Sequence, residues 1–271
     1  MSTRFLELHQ QGTFLLVNVH DAGAAALAES AGAVALGTTS SGHAYTHARR
    51  DGSVGRDEAI ERAAEICAAV DIPVSVDAEN GWGHDPDDVA DAIRAIADAG
   101  AAGASIEDWS GDDSIGFYDR GKALERVQAA VETARSLPQP FVVCARAEAF
   151  LRGAPDPLDE AIARLQSFAE AGADCMYAPG PRDRATLARI VAEAGGPVNA
   201  LIGVGGTFTM ADAAEIGIRR VSVGGSLYRA TMAAFRGLVE QMVTTGSFAA
   251  DPAPLPGGDL DRLFGSGSAP A

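Results

Sequence analysis

Positive charge is scarce in this chain: 21 Lys and Arg stand against 37 Asp and Glu, a formal net charge of −16. A field of that sign repels polyanions, so neither nucleic acid nor an anionic membrane surface is expected as a partner. An anionic substrate must then be held by a local cation, either a metal ion or a well-placed Arg. Cysteine is scarce too. Cys67, Cys144 and Cys175 lie far apart, without the close Cys/His spacings of a zinc site, and read as buried free thiols. No apolar run is long enough to span a bilayer, and the opening Met1-Ser2-Thr3-Arg4-Phe5 has no signal-peptide core. A reducing cytoplasm is the expected location.

What the chain does have is enough apolar residue, 47% of 271, to bury one large core. Eight times a short apolar run is followed by a polar or Gly-rich turn and then an amphipathic segment. The apolar runs are 15–19, 33–38, 72–77, 103–107, 141–146, 173–179, 198–203 and 219–224. Most are near-continuous aliphatic stretches, as parallel strands covered on both faces require. Helices are expected at 56–70, 86–99 and 157–171, the second with Asp85 as N-cap, Pro86 in the first turn and Gly100 beyond its end. Ala-Gly-Ala recurs at 31–33, 99–101 and 171–173, each time just before a strand. Eight such units predict an α/β fold, a single-domain (β/α)8 TIM-type barrel over residues 1–245. The tail, 246–271, is rich in Pro, Gly and Ser, with Leu260, Leu263 and Phe264 available to dock on a neighbouring subunit.

In such a barrel the chemistry sits at the C-terminal strand ends. The first two runs end in Asn18, His20 and Asp21 and in Thr38, Thr39, Ser40, Ser41 and Gly42, small donors suited to a carboxylate or phosphate, or to ordinary capping. The third ends in Asp77-Ala78-Glu79, two carboxylates at i and i+2 on one side of an extended chain, a pattern that suits Mg²⁺. The fourth ends in Glu107-Asp108, so four acids would crowd one rim and repel one another without a cation. The fifth brings Arg146, able to grip a carboxylate or pair with Glu107. The seventh and eighth end in Gly203-Val204-Gly205-Gly206 and Gly224-Gly225, turns that also describe a phosphate site.

The ordered segments Asn18-Val19-His20-Asp21-Ala22, Thr38-Thr39-Ser40-Ser41-Gly42, Asp77-Ala78-Glu79-Asn80-Gly81-Trp82-Gly83, Ile106-Glu107-Asp108 and Ala145-Arg146-Ala147-Glu148 together resemble the isocitrate lyase/phosphoenolpyruvate mutase superfamily over residues 5–245. The resemblance implies a modified barrel that binds Mg²⁺, or Mn²⁺ in its place, and passes through an enolate of a pyruvate-like acid. It implies Asp77 as direct metal ligand, Glu79 and Glu107 acting mainly through water, and Asn18, Thr39, Ser40 and Ser41 about the substrate carboxylate. Arg146 would face the enolate oxygen, and Asp51 would approach the reacting group. It further implies a homotetramer or homodimer, which the apolar face at 227–243 permits.

The departures narrow the reaction. The segment 109–118 contains no Cys, Lys or His, so it has neither the Cys loop of the isocitrate-type lyases nor the Lys and Asn of the phosphonate-handling members. His43, Tyr45 and His47 are candidates to replace the missing proton donor. The leading expectation is a Mg²⁺-dependent lyase that breaks a C–C bond in a small 2-oxo or 2-hydroxy acid. A phosphonomutase or phosphonopyruvate hydrolase and an inactive carboxylate-binding barrel are the alternatives.

Overall fold

The computed structural model describes residues 1–265. Eight parallel strands pair in chain order and close into a barrel: β1 (Phe14–Val19), β2 (Leu36–Thr38), β3 (Val74–Asp77), β4 (Gly103–Glu107), β5 (Val142–Arg146), β6 (Cys175–Tyr177), β7 (Val198–Leu201) and β8 (Arg220–Ser222). The last returns to the first through pairs such as Leu16↔Ser222. The expected barrel is present. Around it run α2 (Ala22–Ser30), α4 (Arg56–Ala68), α5 (Pro86–Asp98), α6 (Arg120–Ser136), α7 (Pro157–Glu170), α8 (Arg184–Glu193) and α9 (Met210–Ile216). Two short helices were not expected: α1 (Ser2–Leu8), beneath the barrel, and α3 (Ser40–Thr46), on its rim.

The recurring Ala-Gly-Ala motif ends three helices in the same way. Gly32, Gly100 and Gly172 have φ of 94°, 93° and 93°, a left-handed conformation that costs Gly little. The N–H of the next residue then bonds the carbonyl five residues back, Ala33 to Ala28 and Ala173 to Phe168. Those bonds explain why β2 and β6 begin later than the apolar runs at 33 and 173 suggest: the first residues of each run close the preceding helix. In α5, Val89, Ile93 and Ile96 recur at helical spacing and are fully buried. At the barrel's lower end Phe5 of α1 is fully buried beside Gly103, where an added Cβ would lie 2.7 Å from the Val142 carbonyl oxygen.

Beyond β8, α10 (Ser226–Thr245) leaves Met232, Phe235 and Val243 exposed. The tail helix α11 (Gly257–Gly265) lies against α2 of its own chain. No described helix is long and apolar enough to cross a membrane.

Candidate active site

Asp77, Glu107 and Arg146 are each the last residue of a strand, so all three lie at the same end of the barrel, where Arg146 pairs in register with Glu107. Arg146 Nη1 stands 3.2 Å from Glu107 Oε2 and 3.5 Å from Asp77 Oδ1, and its Nε donates to Glu148. Arg152 Nε reaches Glu148 from outside at 3.5 Å. Asp77 Oδ2 accepts the backbone N–H of Ser40 at 3.1 Å and its hydroxyl at 2.9 Å. Asp77 Oδ1 is buried and accepts no hydrogen bond.

The backbone leaves β3 sharply. Glu79 has φ of 48° and Trp82 of 57°, a region where a non-Gly residue carries strain of about 1–3 kcal/mol. The turn sets the Glu79 carbonyl on the Glu107 N–H at 2.9 Å and brings its carboxyl to the same basin as Asp77. Asp51, on the loop between α3 and α4, enters from above, its Oδ1 accepting the Ser40 hydroxyl at 3.2 Å.

Five carboxylates, those of Asp51, Asp77, Glu79, Glu107 and Glu148, therefore share Arg146 and the partly exposed Arg152. Burial, reinforced by Asp77 and Asp51, pushes Glu79 up to about 8. Burial also raises Glu107 well above the usual carboxylate range, against the pull of Arg146. Asp51 is raised by burial and by Asp77, although part of its side chain reaches solvent. Too many acids for the cations present, with the buried Asp77 Oδ1 and Glu148 Oε2 accepting no hydrogen bond among the described residues, is the state a divalent cation would relieve. Asp77, Glu79 and Glu107 thus fit such an ion by charge and donor type.

Asp108, expected beside Glu107 at the rim, is turned into the structure instead. Its Oδ1 accepts the Glu148 N–H at 2.8 Å and its Oδ2 pairs with buried Arg164 at 3.2 Å. Asn18 is a latch: its amide donates to the Thr38 carbonyl, while its Oδ1 accepts from Val223 and Gly224 N–H at 2.9 and 2.8 Å. Those bonds, with Val204 N–H donating to Ser226 Oγ, occupy part of the Gly-rich turns after β7 and β8. Thr39 caps α3 by accepting from Gly42 N–H at 3.3 Å and shares a 3.1 Å hydroxyl contact with Ser41.

His43 on α3 and His47 just past its end come together, with Glu58 of α4 at 3.8 and 3.5 Å. Among the described residues this is the three-ligand group whose donor atoms lie within 4.8 Å of one another; Asp77, Glu79 and Glu107 are spaced more widely. Arg49 already bonds Glu58, so the charge of that group is balanced. Burial, aided by Arg62, lowers His43, which disposes it to be neutral. Tyr45 stacks near Tyr228 on the outer face, ring centroids 6.0 Å apart.

Beside the acids a cavity of about 300 Å³ sinks along the barrel axis. Its walls carry residues that sequence reading missed: Arg182 after β6, Arg229 at the start of α10, and Asn199 and Arg220 at the floor. The Arg182 and Arg229 guanidiniums form no ion pair or side-chain hydrogen bond among the described residues. Gly225 lets the two rims meet, since an added Cβ would lie 2.5 Å from Ser41 Oγ and 3.4 Å from Arg229 Nη1.

This geometry agrees with what the chain is similar to. The family model for phosphoenolpyruvate phosphomutase matches residues 5–243. An uncharacterised protein of Mycobacterium tuberculosis is 33% identical over 227 residues, 83% of each chain. A structure from Burkholderia cenocepacia J2315, assigned only as a lyase/mutase, is 43% identical with a TM-score of 0.93, covering 97% of this chain and 95% of that one. The structure of 2,3-dimethylmalate lyase, a member of the phosphoenolpyruvate mutase/isocitrate lyase superfamily, is 25% identical with a TM-score of 0.83, covering 98% and 93%. The chain belongs to the phosphoenolpyruvate phosphomutase family of the isocitrate lyase/phosphoenolpyruvate mutase superfamily, whose members are lyases and mutases.

Proposed function

We propose that this enzyme is a lyase that breaks a C–C bond in a small 2-oxo or 2-hydroxy diacid, with a divalent cation, Mg²⁺ or Mn²⁺, held by Asp77, Glu79 and Glu107. The observation that carries the reading is the buried Asp77 Oδ1, which accepts no hydrogen bond among the described residues, in a basin of five acids facing a cavity with arginines on its far wall. When bound, such an ion supplies Lewis acidity that favours enolate formation from a 2-oxo or 2-hydroxy acid. Arg146, pinned by Glu107 and Glu148, presents a fixed positive charge to the oxygen on which negative charge develops. Ser40 ties Asp77 to Asp51, so the acid on the loop is registered to the acid on the strand.

Arg182 and Arg229 favour a second carboxylate on the substrate, because an unpaired guanidinium on a cavity wall is a ready bidentate partner. The exposed apolar side chains of α10 suit a second copy of this chain, as a homodimer or homotetramer, and the three free thiols suit a reducing cytoplasm. The test is a panel of 2-oxo and 2-hydroxy diacids assayed for 2-oxo acid release with and without Mg²⁺. Turnover that needs the metal and disappears in Asp77→Ala supports the proposal. Phosphate release from phosphonopyruvate, without diacid cleavage, would replace it with C–P chemistry.

A further inference from the structure

Arg220 is 2% exposed at the floor of the cavity, and no carboxylate among the described residues pairs with it. Its Nε donates to Asn199 Oδ1 at 2.9 Å, its Nη2 to Cys144 Sγ at 2.7 Å, and its Nη1 stands 3.4 Å from His9 Nε2. A guanidinium keeps its proton in a protein, and a buried charge without a counter-charge is strongly unfavourable. Two of the three partners cannot supply negative charge. Asn199 is an amide. His9 Nδ1 lies 2.8 Å from the Phe5 carbonyl oxygen and donates to it, which leaves Nε2 as a neutral acceptor for Arg220.

The third partner can. We propose that Cys144 is a thiolate paired with Arg220, and that it is the reactive thiol of this chain toward small peroxides entering through the cavity. A guanidinium N–H directed at the sulfur is the setting that favours the thiolate over the thiol. Cys175, its register partner on β6, is fully buried and stays protonated, its Sγ 3.9 Å from the Met176 carbonyl oxygen and beside Cys144. Burial alone would raise the Cys144 thiol, but Cys175 and Arg220 outweigh it and bring it to about 7. The other charged or titratable groups around the pair are Arg146 on the same strand, Tyr177 on β6, and Asp174, which Arg135 holds at 2.7 Å.

The chemistry balances without a cofactor. The thiolate attacks one oxygen of hydrogen peroxide, an S–O bond forms as the O–O bond breaks, and hydroxide leaves and takes the proton of the new S–OH group to become water. Sulfur is oxidised by two electrons and the peroxide reduced, giving sulfenic acid. Its anion keeps a negative charge against Arg220. Arg220, Asn199 and Ser222 line the cavity floor; Cys144 is fully buried behind Arg220 and outside that lining, so a peroxide has to pass the guanidinium to reach the sulfur. This inference stands on the floor of the cavity and not on the reaction proposed above it.

The test uses the full chain. Absorbance at 240 nm, titrated from pH 5 to 10 for wild type and Cys144→Ser, should show a thiolate step near pH 7 that only the variant lacks, against about 8.5 for an ordinary thiol. Hydrogen peroxide at pH 7 with dimedone, read by peptide mass spectrometry, should trap sulfenate at Cys144 before Cys67. Cys67 is the more exposed thiol, but burial raises it to about 11. Superimposable titrations of the two proteins below pH 8.5 would overturn the thiolate. Trapping at Cys67 first, or at Cys144 only after denaturation, would overturn its reactivity. The labelling arm needs wild type alone, so it decides even if Cys144→Ser does not fold.

Discussion

Arg146 Nη1 lies 3.5 Å from Asp77 Oδ1, the one oxygen of that carboxylate without a hydrogen bond. The cation faces that oxygen without hydrogen-bonding it, which leaves the oxygen open to another partner. Arg146 therefore joins two tasks, neutralising the buried acids and presenting charge to the substrate.

Removing the guanidinium separates those tasks. Arg146→Gln leaves Glu107 buried without its cation and Glu148 with Arg152 alone, a loss of about 3–5 kcal/mol by analogy with broken buried pairs. Activity on the diacid substrate should fall by about 10²–10³ if the guanidinium stabilises developing charge. Thermal unfolding with and without Mg²⁺ should show a larger metal-induced stabilisation in the variant than in wild type, because the ion then offsets more unpaired acid.

The cavity wall makes a second prediction. Arg229→Gln and Arg182→Gln should each raise KM for a diacid by about 10–100-fold, the loss of one charged hydrogen bond of about 1.5–3 kcal/mol. They should leave binding of a monoacid analogue such as pyruvate unchanged. Equal losses on both ligands would show that the two side chains shape the loops rather than contact a second carboxylate.

His9 predicts part of the acid limb of stability. Burial first, then Arg220, brings it down to about 3 from an ordinary 6.5. The unfolded chain takes up a proton near 6.5 that the fold refuses until about 3, so this contribution favours the fold above pH 6.5 and is lost steadily as pH falls towards 3. One such group gives a slope of at most about 1.4 kcal/mol per pH unit. His9→Gln can keep the bond to the Phe5 carbonyl while removing the titration, and denaturant midpoints between pH 6.5 and 4.5 should fall less steeply than in wild type.

Core packing gives a prediction independent of the site. Ile93 is fully buried in α5, in the same core as residues of α6, and Ile93→Ala should cost about 2–5 kcal/mol in chemical unfolding. Its effect on KM should be negligible, since it faces away from the cavity.

Strands, barrel closure and the acids at the rim were legible because each leaves a local signature: aliphatic runs of fixed length, Gly beyond helix ends, and carboxylates at i and i+2. What escaped depends on contacts distant in sequence. Arg220 opens a three-residue strand and looks like a boundary charge beside Arg219, yet strand parity turns it inward. Ser40 and Asn18, read as substrate donors, also bond Asp77 and the turn after β8, partners that no local pattern announces. Asp108 sits next to Glu107 in sequence and on the opposite face in space, as alternation along a strand requires. His43 and His47 stand out as single proton-donor candidates, but their shared partner Glu58 lies on the next helix, across an intervening loop.

The central claim is that the acids at the barrel mouth hold a divalent ion, and calorimetric titration of Mn²⁺ in the presence of oxalate measures it most directly. Wild type should bind one ion per chain, Glu79→Gln should bind about 10–100-fold more weakly, and Asp77→Asn should not bind measurably. Absence of Mn²⁺ uptake by the wild-type chain, or uptake unchanged in both variants, would contradict the account.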